Sequence, residues 1–446
     1  MNKNQVRHPR RLRAIFVKRL FGVFDHRIEL NDERITIIHG PNGFGKTAVL
    51  RLVAGFFERR YSMLRGVPFE SVDFTLDDGT SIRVTQGIAR PNGNISKPEL
   101  QVQSGDHSWK WHHRVQPGIE IPRHFFDEQI PWLHRIDEDV WFDNQSGEQL
   151  DTSEVMDRYA DYLPIKHVPD KTPDWLQEIQ DSVNVYFIRA NRLETPAPTE
   201  QFLRSPRRRP FPSAPAVANY ANELSLRIQR VQTEYANLAQ TLDRSFPIRI
   251  MSQTGTESLS LEAVKQRLAS LDRQRQELNS VGLLEQSSPE VEHLPEPDES
   301  QLGVLTVYIN DVTQKLEVFR DLRERIELFR ELLNGRFLYK QVRIDKKQGL
   351  VFQTDAGQEL PPTSLSTGEQ HEVVILYQLL FLTQPDSLVL IDEPEISLHV
   401  AWQKPFLNDI ARIASVSKVD FLIATHSPQI IGNRWDLTVE LEGPRK

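Results

Sequence analysis

RITIIHGPNGFGKTAVLRLVAGFF, residues 34–57, is the stretch from which the fold is read. Arg34–His39 is a short run rich in branched apolar residues, the pattern of a buried strand. Gly40-Pro41-Asn42-Gly43-Phe44-Gly45-Lys46-Thr47 matches G-x-x-x-x-G-K-[ST] at every fixed position. From Ala48 onward, Val49, Leu50, Leu52, Val53, Phe56 and Phe57 recur at helical spacing. A glycine-rich loop between a strand and a helix turns backbone N–H groups inward around phosphate oxygens, and the helix N-terminus adds a positive dipole. The loop therefore predicts a nucleotide site lined by Asn42, Gly43, Phe44, Gly45, Lys46, Thr47 and Ala48. Lys46 is expected to reach the β- and γ-phosphates, and the Thr47 hydroxyl to ligate Mg²⁺.

The other half of such a site lies far along the chain. Ser364-Leu365-Ser366-Thr367-Gly368-Glu369-Gln370 precedes an apolar helix over 373–382. Ser387–Ile391 reads as a buried strand ending in Asp392-Glu393-Pro394-Glu395, and Val419–Ala424 as another, ending in Thr425-His426-Ser427-Pro428. Taken singly, these are a helix cap, a polar loop and a structural histidine. Their order behind a complete phosphate loop makes them parts of one site. Asp392, at a strand end, is expected to hold Mg²⁺ beside Thr47, and Glu393 to polarise the attacking water. His426 is placed to contact the γ-phosphate. Ser366 and Gly368 offer a hydroxyl and a backbone N–H at a helix N-terminus, which suits a γ-phosphate.

Upstream of the loop, HPRRLRAI from His8 is basic, and FVKRLFGVFDHRIEL continues as two antiparallel strands. The basic run is either a solvated strand end or a contact for nucleotide or nucleic acid. Val72–Leu76 and Ser81–Thr85 flank Asp77-Asp78-Gly79-Thr80, a hairpin turn. Gln86–Gln116 is polar and weakly patterned. Residues 105–185 hold many aromatics, Trp109, Trp111, Trp132, Trp141 and Trp175 among them, and read as a local core under irregular loops rather than a stacking platform. Their histidines match no metal-ligand spacing. Asn184–Ile188 reads as a buried strand.

Thr195–Pro215 is proline-rich and carries Arg207-Arg208-Arg209, an extended linker or a phosphate contact. Three helical segments follow with apolar steps of three and four: Leu224 to Leu242, Leu261 to Leu278 with Arg275 in the seam, and Leu305 to Leu333. This is the seam of a coiled coil or bundle. Acidic, proline-rich 285–301 links the second and third. Strands return at Phe337–Ile344 and Leu350–Thr354. The expected layout is an ATPase head in two parts, 1–192 and 336–446, split by a linker and helical insertion over 193–335.

Net charge is −8, so any nucleic-acid contact needs a local basic patch. The absence of cysteine excludes disulfides, thiolate nucleophiles and cysteine-based metal sites, and fits a cytoplasmic location. No apolar run approaches the ~18 residues of a membrane span, and the basic N-terminus lacks the apolar core of a secretory signal.

Together these motifs resemble the ABC-type ATPases, in particular the heads of SMC-like, RecF-like and OLD-like proteins. Ser366-Thr367-Gly368-Glu369 resembles their signature, with Thr367 replacing a glycine and Glu369 standing at the glutamine. DEPEISLH resembles their Walker B motif and D-loop, and THSP their switch-histidine segment. The resemblance covers roughly 10–90 and 336–440; it does not place the family's glutamine loop, for which Tyr186–Arg192, at a strand end before the insertion, is a candidate that holds no glutamine. It implies an α/β fold in which a P-loop head with a mixed sheet is split by a helical insertion. It also implies ATP and Mg²⁺ as cofactors and a homodimer, or higher homo-oligomer, in which one subunit's signature completes another's ATP site. OLD-type nucleases carry a metal-dependent nuclease domain after the ATPase; with about twenty residues following His426, none is expected here. The phrases YFIRANRL, SLSTGEQHEVVILYQLLF and SLVLIDEPEISLHVAWQ bring the chain nearest to the ATPases of bacterial anti-phage systems such as Septu and PARIS. That implies a sensor and scaffold holding a separate nuclease or toxin effector. The alternative is a DNA-repair ATPase of RecF or SMC kind that binds duplex DNA. The nucleotide-binding subunit of a membrane transporter fits poorly, because such subunits lack a long helical insertion.

Overall fold

The apolar runs that end in polar motifs become neighbours in one parallel sheet. The computed structural model describes residues 9–86, 100–111, 130, 133–137, 140–143, 148–151, 155, 159, 172–188, 216–252, 259–284, 298–397 and 403–443. Two compact units divide it: Met1–Ser213 with Thr383–Lys446, and Ala214–Leu382.

The first unit opens with strands β1 (Leu12–Leu20), β2 (Phe24–Glu29) and β3 (Ile35–His39), then helices α1 (Lys46–Phe57) and α2 (Tyr61–Arg65). Strands β4 (Ser71–Leu76), β5 (Ser81–Gln86), β6 (Leu100–Ser104) and β7 (His107–Trp111) follow. Six strands form an antiparallel sheet in the order β2-β1-β4-β5-β6-β7. The β1–β2 pair and the β4–β5 hairpin stand as the residue pattern predicts. The β6–β7 hairpin does not follow from it. Its strands lie in the polar stretch after Gln86, where only alternate residues such as Leu100 and Val102 are buried.

Residues 105–185 hold more regular structure than loops over a core. Strands β8 (Leu133–Asp137), β9 (Val140–Asp143) and β10 (Glu148–Asp151) make a small antiparallel sheet. Its core gathers Ile130, Leu133, Trp141, Leu150, Val155 and Tyr159, so Trp141 is a core residue as expected. Helix α3 (Asp174–Ser182) leads into β11 (Val185–Ile188).

The second unit begins with α4 (Ala216–Ser252), α5 (Leu261–Ser280), α6 (Glu299–Glu317) and α7 (Arg320–Asn334). The third helical segment is therefore two helices. The chain breaks at Val318–Phe319 with neither glycine nor proline there, because the bend buries Phe319 completely against Tyr235, ring centroids 5.2 Å apart. Along α4, Leu224 and Ile228 are buried, while Val231, Tyr235, Leu238 and Leu242 are half-buried. Asp298 caps α6 in a capping box with Gln301, so the acidic linker ends before the position its composition indicates. The proline-rich 195–215, with Arg207–Arg209, lies outside the described residues, as does most of 285–301.

Strands β12 (Lys340–Asp345), β13 (Gly349–Thr354) and β14 (Glu359–Leu360) form a three-stranded sheet in this unit. Helix α8 (Thr367–Tyr377) runs on as a π-helical turn over Gln378–Leu382.

The first unit resumes with β15 (Leu388–Asp392), the short α9 (Pro394–Ser397), α10 (Phe406–Ser417), β16 (Asp420–Ala424), α11 (Pro428–Ile431) and β17 (Thr438–Glu440). Its five-stranded sheet is parallel throughout, in the order β11-β15-β16-β3-β17. Strands β3, β15 and β16 are mostly apolar and buried residue after residue, rather than alternately, because both their faces are covered. Helix α1 is buried nearly all round, since its residues join the antiparallel sheet and the parallel sheet in one core. Phe56 is fully buried there, with Phe57 and Phe74 at 5.0 and 5.1 Å. Phe56→Ala is expected to destabilise the fold by about 3–5 kcal/mol, read as a lower urea midpoint. The basic N-terminal run is spent on this frame: Arg11 makes two bonds to Asp420 at 2.7 and 2.6 Å, Arg13 one to Asp32, and Arg10 pairs with Asp78.

Candidate nucleotide-binding site

Parallel register brings the polar ends of three strands to one edge. Ile38 pairs with Ala424, and Ala424 with Asp392, so the residues that follow each emerge together. In open parallel sheets this carboxyl edge is where ligands bind.

The phosphate loop connects β3 to α1. Gly43 and Gly45 sit at φ +86° and +89°, a region that favours glycine. A Cβ on Gly45 would meet Leu20 Cδ2 at 2.4 Å, so a side chain there would push the Leu20 methyl aside as well as strain the backbone. Lys46, 5% exposed, donates to the carbonyl oxygens of Gly40 and Pro41 at 2.7 and 3.2 Å. Asn42 is exposed, Phe44 half-buried and Ala48 buried. His26 on β2 holds the loop from behind, with Nε2 2.8 Å from the Phe44 carbonyl. A carbonyl oxygen only accepts, so Nε2 carries the proton, and burial lowers the pKa of this histidine. Phe24 stacks on the His26 ring and packs on Phe44.

Thr47 Oγ1 donates to Asp392 Oδ1 at 3.0 Å across 345 positions of sequence. Burial raises the Asp392 carboxyl to about 6; the Thr47 hydrogen bond and Arg51 oppose this, and Glu393 and Glu395 add to it. A hydroxyl beside a buried carboxylate, with two further acids close by, is a hard-oxygen donor set whose negative charge a divalent cation relieves, so Thr47 and Asp392 fit Mg²⁺. The shift also has a stability sign. The folded chain binds this proton more tightly than the unfolded chain, so without metal the ionised carboxylate costs stability above about pH 6. Asp392→Asn is expected to stabilise the metal-free protein by about 1–3 kcal/mol above that pH. The advantage should shrink as pH falls from 6 toward 3.8, which thermal melts at pH 8 and pH 5 measure.

Glu393 takes φ 44°, unusual for a residue with a Cβ, and its N–H bonds to the Ala424 carbonyl at 2.8 Å. Strain of this kind clusters at functional sites. Glu393 Oε1 lies 3.8 Å from His426 Nδ1. Glu395, given no role from sequence, is the nearer acid, with Oε1 2.9 Å from the same nitrogen. Phe21, in the β1–β2 turn beside Gly45, leaves 45% of its surface exposed. Of these additions only Glu395 left a trace in the sequence, as the second acid of Asp392-Glu393-Pro394-Glu395.

Ser366, Gly368 and Glu369 belong to the second unit. Ser366 caps α8 in a capping box: its Oγ accepts from the Glu369 N–H at 3.4 Å and its own N–H donates to Glu369 Oε2 at 2.7 Å, with the hydroxyl also donating to Oε2 at 2.9 Å. Lys340 donates to both Glu369 oxygens at 2.9 and 2.8 Å. Burial pushes the Glu369 carboxyl up, but bonds from Lys340 and Ser366 hold it below its usual range. Gly368 is exposed with open space around it. Residues 189–192 and 398–402, the end of the strand segment and most of the D-loop, lie outside the described residues.

A family model described as "AAA domain, putative AbiEii toxin, Type IV TA system" matches residues 153–432. The chain belongs to this AAA-domain family. The matched part contains Ser366, Asp392, Glu393 and His426, while the phosphate loop precedes it. Membership implies nucleotide binding with a divalent metal. No curated protein matches the chain. Among solved structures, the chain is similar to the Smc head domain with an extended coiled coil bound to the C-terminal domain of ScpA, derived from Pyrococcus furiosus. Identity is 13%, coverage 98% of this chain and 94% of that one, and the TM-score 0.33. The SMC head domain from Thermotoga maritima gives 12% identity, 94% and 91% coverage, and 0.32. Both are likenesses of this AAA-domain protein to other chains at low sequence identity. Among its described residues, no helix is long and apolar enough to cross a membrane.

Proposed function

We propose that the chain is a slow ATPase of ABC type that serves as sensor and scaffold in an anti-phage defence complex, controlling a separate nuclease or toxin. The observation that carries the ATPase is the 3.0 Å bond from Thr47 to Asp392, which joins phosphate loop and metal carboxylate at the sheet edge that also presents Glu393 and His426. In this reading Lys46 and the loop N–H groups bind the phosphates of ATP, and Thr47 and Asp392 would hold Mg²⁺, which screens charge on the β- and γ-phosphates. Glu393 polarises the attacking water and His426 contacts the γ-phosphate. Ser366, Gly368 and Glu369 meet the ATP of a second subunit, so nucleotide assembles a homodimer or a higher homo-oligomer. The defence role rests on the likeness of SLSTGEQHEVVILYQLLF and SLVLIDEPEISLHVAWQ to the ATPases of anti-phage systems.

Light scattering of the purified chain, with and without ATP and Mg²⁺, tests assembly: mass should rise only with both. Purification of the native complex should bring a nuclease or toxin activity in an assembly larger than a dimer. A dimer that forms with ATP and retains duplex DNA instead would favour the repair ATPase. The ion pairs of Arg10, Arg11 and Arg13 weigh against that alternative, because they leave less free basic surface near the N-terminus.

A further inference from the structure

Three donors converge on one oxygen of Glu395. Its Oε1 lies 2.8 Å from Thr425 Oγ1, 2.9 Å from the His426 backbone nitrogen and 2.9 Å from His426 Nδ1. The proton directions follow from the bonding. The Ser427 N–H donates to Thr425 Oγ1 at 3.0 Å, so the Thr425 hydroxyl sends its own proton to Glu395. The backbone N–H of His426 can only donate. An oxygen receiving two donors is an acceptor, so Nδ1, the third group against it, also carries a proton. The Glu395 side chain is 8% exposed, and its Oε2 is buried without a hydrogen-bond partner in the described residues. A carboxylate held this way is aimed at the histidine. Capping the turn alone would be served by Thr425 and the backbone N–H.

We propose that Glu395 is a positioning residue that fixes His426 as its Nδ1–H tautomer and turns Nε2 toward the nucleotide. The inference rests on the ATPase reading above. Nε2 makes no hydrogen bond to the described residues, and the His426 side chain is 46% exposed, so that nitrogen is available to ligand. The partner of the other ring nitrogen decides which tautomer a histidine adopts. Glu393, 3.8 Å from Nδ1, is too far to take this place and stays available to water. The same Glu395 carboxylate supplies the counter-charge when the ring is cationic.

Long-range ¹H–¹⁵N spectra of the full chain labelled at histidine, with the His426 signals identified from His426→Gln, read the tautomer without nucleotide. The wild type should show a protonated Nδ1 and a bare Nε2; the opposite tautomer overturns the proposal. Glu395→Ala should release the ring to mixed tautomers and lower kcat by about 10- to 100-fold with KM for ATP unchanged, the scale of loss when an orienting partner of a histidine is removed. Glu395→Gln keeps an acceptor oxygen and should keep the tautomer and most of kcat. Wild-type kcat in Glu395→Ala, or a matching fall in Glu395→Gln with the tautomer intact, overturns it as well. A wild-type chain that hydrolyses no ATP would instead sink the ATPase reading, and the tautomer would still decide what Glu395 does.

Discussion

Lys46→Ala should weaken ATP binding by about 100-fold or more and abolish turnover. The side chain is almost wholly buried at the start of α1, where its ammonium already donates to two loop carbonyls. With nucleotide bound, that charge faces phosphate oxygens, and charge-assisted hydrogen bonds of this kind contribute about 1.5–3 kcal/mol each. Two of them set the scale of the loss. The loop carbonyls lose their donor too, so a modest drop in melting temperature is expected, and binding must be measured where the variant is folded. Titration with a fluorescent ATP analogue gives the affinity. If Lys46→Ala hydrolyses ATP at the wild-type rate, the loop is not a nucleotide site.

Glu393→Gln should separate binding from chemistry. Glutamine matches the carboxylate in size and leaves the N–H bond to Ala424 in place. It cannot accept the proton of an attacking water. A positioned general base contributes about 10²–10⁴-fold, so kcat should fall by that factor while ATP affinity persists. Because ATP would be shared between subunits, assemblies formed by this variant should outlive those of the wild type. Dissociation after dilution, followed by light scattering, measures this. Unchanged turnover and lifetime would move the water-polarising role away from Glu393.

Much of this was readable in the residues. The phosphate loop has a fixed spacing, and buried parallel strands are apolar on both faces, so β3, β15 and β16 announce themselves with the motifs at their ends. What escaped was set by contacts distant in sequence. His26 is one histidine in a polar-looking strand until the fold lays it against Phe44. Glu395 stands beside a better-known acid and acquires its part only from Thr425 and His426, about thirty positions on. The bend at Phe319 has no breaker residue because burial of its ring shapes it. The β6–β7 hairpin hides in a polar stretch because only one face of its sheet is apolar.

Strand order also sets a timetable for synthesis. β3 lies between β16 and β17, so its partners leave the ribosome long after it does. From residue 39 to residue 420 is 381 positions, roughly 20–80 s at about 5–20 residues per second. Through that interval the phosphate-loop strand has two unsatisfied edges and no sheet to join. The nucleotide site is thus completed late, and a nascent chain stalled before residue 420 carries a phosphate loop packed on β1, β2 and their neighbours but without the two strands that flank β3.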